Sequence, residues 1–402
     1  MAFRIAVSGM KAATADLDTT GNNIANSSTT GFKQSRAEFA DIYAVSNLGS
    51  SQDAIGQGVQ LTAVAQQFSQ GNLSFTDNSM DLAINGQGFF VLDDNGSQSF
   101  TRAGQFGIDK NGFVANSTGQ KLTGFGAVNG SVNGALGPLQ VSSANLQPQA
   151  SSKVDVGVNL DANGTAPSGA FDPSDPATFN NSSALSVFDS LGSAHTATLY
   201  FAKSSTPNQW ASYLRIDGDN AQTTATQTLT FNSSGQLTAA MPVSYGTFTP
   251  TNGAAPITLN VDYTGTTQVG APFGVNKLSQ DGYTTGQLTG LDIDETGLML
   301  ARFSNGQSTV QGQVAIANFS NPQGLKPNNQ TTWVETGTSG APLIGVPGSA
   351  SLGLVQSGAL EQSNVNISEQ LVNMIEAQRN FQANAQVIQT EDQITQAVIN
   401  IR

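Results

Sequence analysis

Few residues in this chain of 402 could do chemistry, and their spacing speaks against it. There is no cysteine, which excludes a thiolate nucleophile, a disulfide framework and any thiolate-held zinc or iron–sulfur site. There is one histidine, His195, so H-E-x-x-H and every multi-histidine metal site are excluded as well. A general base needs a positioned partner, and His195 closes the polar stretch 189–195 between two strand-like runs, where it reads as a solvated turn residue. No nucleophile elbow and no P-loop occur. Gly86 and Gly88 form a G-x-G without the third glycine of a dinucleotide fingerprint, and Phe89-Phe90-Val91 follow, so they read as a turn feeding a strand. Asp or Asn precedes Gly by three residues at Asp93/Gly96, Asp109/Gly112, Asn116/Gly119, Asp161/Gly164, Asp189/Gly192, Asn232/Gly235 and Asp294/Gly297. At most two carboxylates per loop are too few for calcium, which takes about six to eight oxygens. The same pattern suits a type I turn, opened by the Asp or Asn side chain and closed by a glycine at positive φ. The expectation is no catalytic residue, no metal, no cofactor and no enzyme.

Composition narrows the partners. Net charge is −13 with a sequence pI near 4.3, and the 15 basic residues are scattered, so nucleic acid is not an expected partner. No run approaches the roughly 20 apolar residues of a membrane span, so no membrane insertion is expected. Charged residues make up 11% of the chain, against about 25% in an ordinary soluble domain. Residues 1–9 hold no apolar core of signal-peptide length, which alone suggests the cytoplasm. The absence of cysteine and the neutral polar, strand-rich texture suggest an extracellular protein. Only export without a cleaved signal reconciles the two.

The elements form three textures. Residues 1–26 read as a helix: Phe3, Val7, Met10, Thr14, Leu17, Gly21 and Ile24 recur at alternating steps of four and three, a coiled-coil seam weakened near its end by Gly21-Asn22-Asn23. At the other end Asn366 and Glu369 form an N-x-x-E capping box. From there Ile367, Leu371, Met374, Gln378, Phe381, Ala385 and Ile388 repeat at four and three, with Ile375 beside them and a neighbouring row through Ile394 and Val398. Between the helices the chain is β-like, with strands expected at 89–92, 99–102, 105–108, 113–115, 185–188, 196–203, 210–216, 228–231 and 257–263. Ser, Ala, Pro, Asp and Asn crowd 148–176, and a second break falls at 270–283. The expected fold is a mainly β body with α-helical termini: a coiled-coil-forming pair (1–26 with 366–402), a connecting segment (27–70 with 358–365), an inner β-domain (71–147 with 284–357) and an inserted outer β-domain (148–283). Residues 46–58 and 70–77 are expected to be joints.

Three separated motifs carry a resemblance. Ser8-Gly9-Met10, Gly21-Asn22-Asn23-Ile24-Ala25-Asn26 and Gly31-Phe32-Lys33 resemble the N-terminal signature of the bacterial flagellar rod and hook axial proteins. Leu360-Glu361-Gln362 and the stretch from Glu369 to Phe381 are similar to that family's C-terminal signature. Asn85-Gly86-Gln87-Gly88-Phe89-Phe90, Phe100-Thr101-Arg102-Ala103-Gly104 and Val314 to Phe319 resemble its β halves. The long insert favours the hook branch over the shorter distal rod subunit. The resemblance implies a subunit exported unfolded by the flagellar type III apparatus, which polymerises with itself outside the cell into a curved tube that transmits torque. It implies rod, hook-cap and hook–filament junction proteins as neighbours. The polymer interface is then expected at Phe3, Val7, Met10, Leu17, Ile24, Ile367, Leu371, Met374, Ile375, Phe381, Ile388, Ile394 and Val398. Two rivals stand beside it: a secreted carbohydrate-binding or carbohydrate-cleaving β-protein, which needs paired carboxylates in a cleft, and a phage-tail-like fibre subunit. Both leave the terminal seams without a role.

Overall fold

The protein is described by a computed structural model over residues 2–42, 56–128, 130–219, 222–223 and 225–400. It is mainly β between two helices, α1 (Ala2–Ala25) and α2 (Ile367–Asn400). Gly21 does not end α1, because Asn22 and Asn23 continue the turn to Ala25 and Asn26 N–H still bonds back to Asn22. In α2, Asn366 Oδ1 accepts from the amides of Ser368 and Glu369, the forward half of the capping box. At about 1.5 Å per residue, its 34 residues run for roughly 50 Å.

The chain divides into two units, Met1–Ser143 with Gly290–Arg302 and Ser308–Arg402, and Ala144–Thr289 with Phe303–Gln307. In the first, strands from the two sides of the long excursion pair antiparallel from the outside inward. Leu73–Phe75 pairs with Ala359–Glu361, Leu82–Asn85 with Leu354–Ser357, Ser97–Thr101 with Thr332–Val334, and Lys121–Val128 with Ser308–Val314. One core cluster joins Phe89, Val91, Phe100, Ala317, Phe319, Leu325 and Trp333, so the two halves bury each other. Its rings meet edge to face, Phe100 on Phe319 at 4.8 Å and Phe89 on Trp333 at 5.6 Å.

The second unit is a sandwich. A four-stranded antiparallel sheet (Asn181–Phe188, Ala194–Lys203, Gln209–Ile216, Thr226–Thr230) shares one core with a five-stranded sheet. Lys153–Asp161 lies in the middle of the latter, pairing with Ile257–Asp262, Thr267–Val269 and Gly274–Gln280. The polar stretches 148–176 and 270–283 therefore each contain a strand. Val154, Val156, Val158 and Leu160 carry the period-two signal there, diluted by Asp155, Gly157 and Asn159. Across the core, Tyr245, Tyr263 and Ser212 close a triangle of buried hydroxyls with edges of 2.6, 2.8 and 2.8 Å. Burial pushes the Tyr245 phenol up to about 12.

The Asp/Asn-x-x-Gly turns form as expected at five places, with Gly112, Gly119, Gly192, Gly235 and Gly297 at positive φ, whereas 93–96 differs: Asp94 pairs with Ser97, and the two residues between them, Asn95 (φ 52) and Gly96 (φ 95), are both at positive φ. At the seventh, Gly164 N–H closes on Asp161 O at 3.1 Å, but Gly164 stays outside the left-handed region. Two further differences arise. The segment expected only to connect contains a hairpin, Ser35–Asp41 with Val59–Gln66; the expected joint at 46–58 lies largely outside the described residues. The 70–77 stretch holds the strand Leu73–Phe75.

Candidate functional site

The site is the place where the helical ends leave the β body. Here the three motifs converge, each contributing one charged side chain. Glu361 Oε1 accepts from Lys33 Nζ at 2.5 Å and from Gly71 N at 2.8 Å, and its Oε2 accepts from Arg102 Nη1 at 3.0 Å. Lys33 and Glu361 side chains are wholly buried and Arg102 nearly so. The cations also bond backbone carbonyls, Lys33 on Ser69 and Arg102 on Gly86, both at 2.8 Å. Gly86 of the G-x-G therefore serves a protein guanidinium. The Arg102 guanidinium carbon also lies 5.4 Å from the centre of the Phe89 ring. Burial lowers the Lys33 ammonium below its usual range, with Glu361 opposing the shift.

The local backbone is built to admit this cluster. Gly31 N–H donates to Glu361 O at 2.8 Å, with Gly31 at φ +70. A Cβ at Gly31 would lie 2.4 Å from Ala103 N, so the chain crosses there as only glycine allows. Two asparagines extend the tie. Asn23 exchanges bonds with the backbone of Ser35 in both directions (2.8 and 2.9 Å) and donates to Gln370 Oε1 at 3.0 Å. Asn364 accepts from Gln34 N at 2.8 Å and donates to Gln67 O at 2.9 Å. Phe32 is half-buried beside this crossing, and Asn22, Ala25 and Asn26 lie on the more open side of the last α1 turns.

From this joint α1 and α2 run side by side and antiparallel: Asn23 meets Gln370, and Gly9 lies where a Cβ would stand 2.5 Å from Asn384 Oδ1. The meeting face corrects the sequence reading. The period of four and three holds, but the contact row sits one residue earlier on both helices. It runs through Ala6, Gly9, Ala13, Thr20 and Asn23 against Gln370, Ala377 and Asn384. Small side chains let two backbones approach closely, which the larger row would prevent. Burial, with the Glu376 carboxylate beside it, raises Asp16 across this face.

The apolar row is thereby left open. Phe3, Ile367, Leu371, Ile375, Phe381, Ile394 and Val398 are 36–63 % exposed, and Val7, Met10, Leu17, Ile24, Met374 and Ile388 are half-buried. Ser8 turns inward instead, its hydroxyl bonding Ile5 O and accepting from Val59 N of the hairpin at 3.2 Å.

His195 is not a solvated turn residue. It lies in the strand Ala194–Lys203 with 11 % of its side chain exposed. Nδ1 is 2.6 Å from Asp217 Oδ2 and Nε2 is 3.3 Å from Asp189 Oδ2. Both ring nitrogens are taken by carboxylates, and among the described residues no nucleophile bonds the ring. Asn23 is among the expected motif residues, whereas Lys33, Arg102, Glu361 and Asn364 are not among the expected site residues. The available signal is the single charge in each of the short tracts Gly31-Phe32-Lys33, Phe100-Thr101-Arg102-Ala103-Gly104 and Leu360-Glu361-Gln362, in a chain where charge is scarce.

Four family models match the chain: the flagella basal body rod protein at 3–33, the flagellar hook protein FlgE/F/G D1 domain at 83–165, the flagellar basal body protein FlaE D2 domain at 159–283, and the flagellar basal body rod FlgEFG protein C-terminal at 356–401. The flagellar hook protein FlgE of Salmonella typhimurium is 38% identical over the whole of both chains, and that of Escherichia coli 36% over the whole of both. The FlgE of Borreliella burgdorferi is 31% identical over 98% of each chain. Among solved structures, Helicobacter pylori flagellar hook protein FlgE2 matches the fold with a TM-score of 0.55 at 15% identity, covering 72% of this chain and 100% of that one. With full-length relatives at this level of identity, the chain belongs to the flagellar hook protein family.

Proposed function

We propose that this chain is the structural subunit of a flagellar hook, polymerising through its terminal helices into a curved, flexible tube that carries torque from rod to filament. The observation that carries this reading is the open apolar row on two helices fixed to the body by a buried ionic joint. A helix pair that meets on small and polar residues keeps its large side chains for other copies. Each one buried against a neighbour contributes about 1.5–3 kcal/mol, enough in sum to drive assembly. The rod, hook-cap and junction proteins are natural neighbours of such a polymer. Export without a cleaved signal, through the flagellar type III apparatus, accounts for the extracellular site of assembly. The β parts supply contacts rich in Ser, Thr, Asn and Gln, which re-pair through water at small cost as the tube bends.

The test is the double substitution Leu371→Asp, Phe381→Asp. Both side chains are exposed, so the subunit keeps its unfolding transitions while polymer and motility are lost. Cells that still swim on this variant would overturn the assignment of the interface.

A further inference from the structure

The only histidine of the chain sits between two carboxylates at one end of the second unit's sandwich. Three turns meet there. Asp189 opens the turn before the strand Ala194–Lys203, Asp217 follows the strand Gln209–Ile216, and Asn252 lies in the turn before Ile257–Asp262 of the other sheet. Asp189 is enclosed: its side chain is fully buried, and it accepts from Leu191 N at 2.9 Å, Ser193 N at 2.8 Å and Asn252 Nδ2 at 2.5 Å. Asp217 is the opposite, 45 % exposed on a backbone at φ +51, with its other oxygen on Thr196 N at 2.8 Å. Phe248 from the five-stranded sheet meets the imidazole edge on at 5.6 Å. The groups facing the ring are thus two carboxylates and one phenyl, with the Asn252 amide and the Ser193 hydroxyl behind Asp189.

Two carboxylates accept and do not donate, so only the imidazolium, with a proton on each nitrogen, satisfies both. When one proton leaves, a ring lone pair faces a carboxylate in either tautomer. Asp189 cannot withdraw, and Asp217 can turn to water. We propose that His195 is a proton-operated clasp that ties the Asp217 turn to the fixed Asp189–Asn252 corner while doubly protonated and releases it as the surrounding medium becomes alkaline.

The direction of the shift agrees. Burial lowers the histidine, but the bonds to Asp217 and Asp189 outweigh it, leaving the group above its ordinary 6.5. A raised histidine contributes stability that is complete below about pH 6.5 and is lost as pH climbs through the folded value.

A lone histidine gives a single imidazole C2–H signal, so the test needs no variant to begin. In the full wild-type chain that signal should titrate above 6.5, and Asp217→Asn should move its inflection down toward 6.5. Between about pH 6 and about pH 9, the unfolding temperature of the wild type should fall relative to His195→Gln. Titration of the wild-type imidazole at or below 6.5 would overturn the clasp. So would melting curves of wild type and His195→Gln that keep the same pH dependence.

Discussion

The two buried ionic clusters use one device with different chemistry. Lys33–Glu361–Arg102 in the first unit and Asp189–His195–Asp217 in the second each set one central ion between two partners of opposite charge, and both tie together separate segments of the chain. The first is built from a lysine, an arginine and a fully enclosed glutamate, none of which ordinarily titrates near neutrality. The second depends on a histidine and on an aspartate half open to water. A permanent tie suits the joint that holds the terminal helices to the body, since a helix pair that swung freely would spend its apolar contacts without passing on torque. A conditional tie is tolerated at the end of a sandwich whose core of aliphatic and aromatic residues is complete without it. The identity of the cation, more than the degree of burial, decides whether a buried ionic tie is fixed or adjustable.

The largest effect is expected on removing the anion of the permanent tie. Glu361→Ala leaves Lys33 and Arg102 buried without a counter-charge, and breaking a buried pair in this way costs about 3–5 kcal/mol. In calorimetry the transition of the first unit should fall and that of the second should stay, and equal shifts in both would dissolve the distinction between the clusters. Asn23→Ala should follow at about 1–3 kcal/mol, because Ser35 N–H and C=O lose their partner at the base of α1; urea titration measures it. The conditional tie has an acid limit as well. Burial opposes it, yet hydrogen bonds from Asn252, Ser193, His195 and Leu191 hold Asp189 down to about 2. A depressed carboxylate contributes stability that is present above its ordinary 3.8 and lost as pH falls toward 2. Asp189→Asn should flatten that limb of the second unit's melting profile, and a limb unchanged by the substitution would count against the assignment. The smallest effect is expected in the uncharged triangle: Tyr263→Phe leaves Tyr245 bonded to Ser212 and should cost about 0.5–1.5 kcal/mol.

Much of the architecture was legible because periodicity survives in polar company. Phe89–Asp94 and Gln209–Ile216 announce themselves through runs and alternation, and the helices through their four–three steps. Lys153–Asp161 was hidden because Asp, Gly and Asn occupy the positions between its aliphatic residues, and composition outweighed period. The row on which α1 meets α2 was misread for a related reason. Hydrophobic size marks a face that wants burial, but close approach of two helices is marked by smallness, and Ala6, Gly9 and Ala13 carry little weight on any apolar scale. The histidine was placed in a turn because its partners, Asp189 and Asp217, are 6 and 22 residues away and only the strand register brings them to one ring. The ionic joint was out of reach for the same reason, since no local rule links residues 33, 102 and 361.

That separation in sequence has a kinetic side. Lys33 and Glu361 are 328 residues apart, and Arg102 and Glu361 are 259 apart. Closing so long a loop costs chain entropy that local contacts cannot repay in advance. The joint is therefore expected to shut late, after the nested strands have brought residue 361 back beside residue 33. A chain interrupted before that point has two cations and no anion to gather them. The base of the helix pair thus acts as a proof of completeness: only a subunit carrying both of its ends can fasten them, and only a fastened subunit presents its apolar row in a fixed direction.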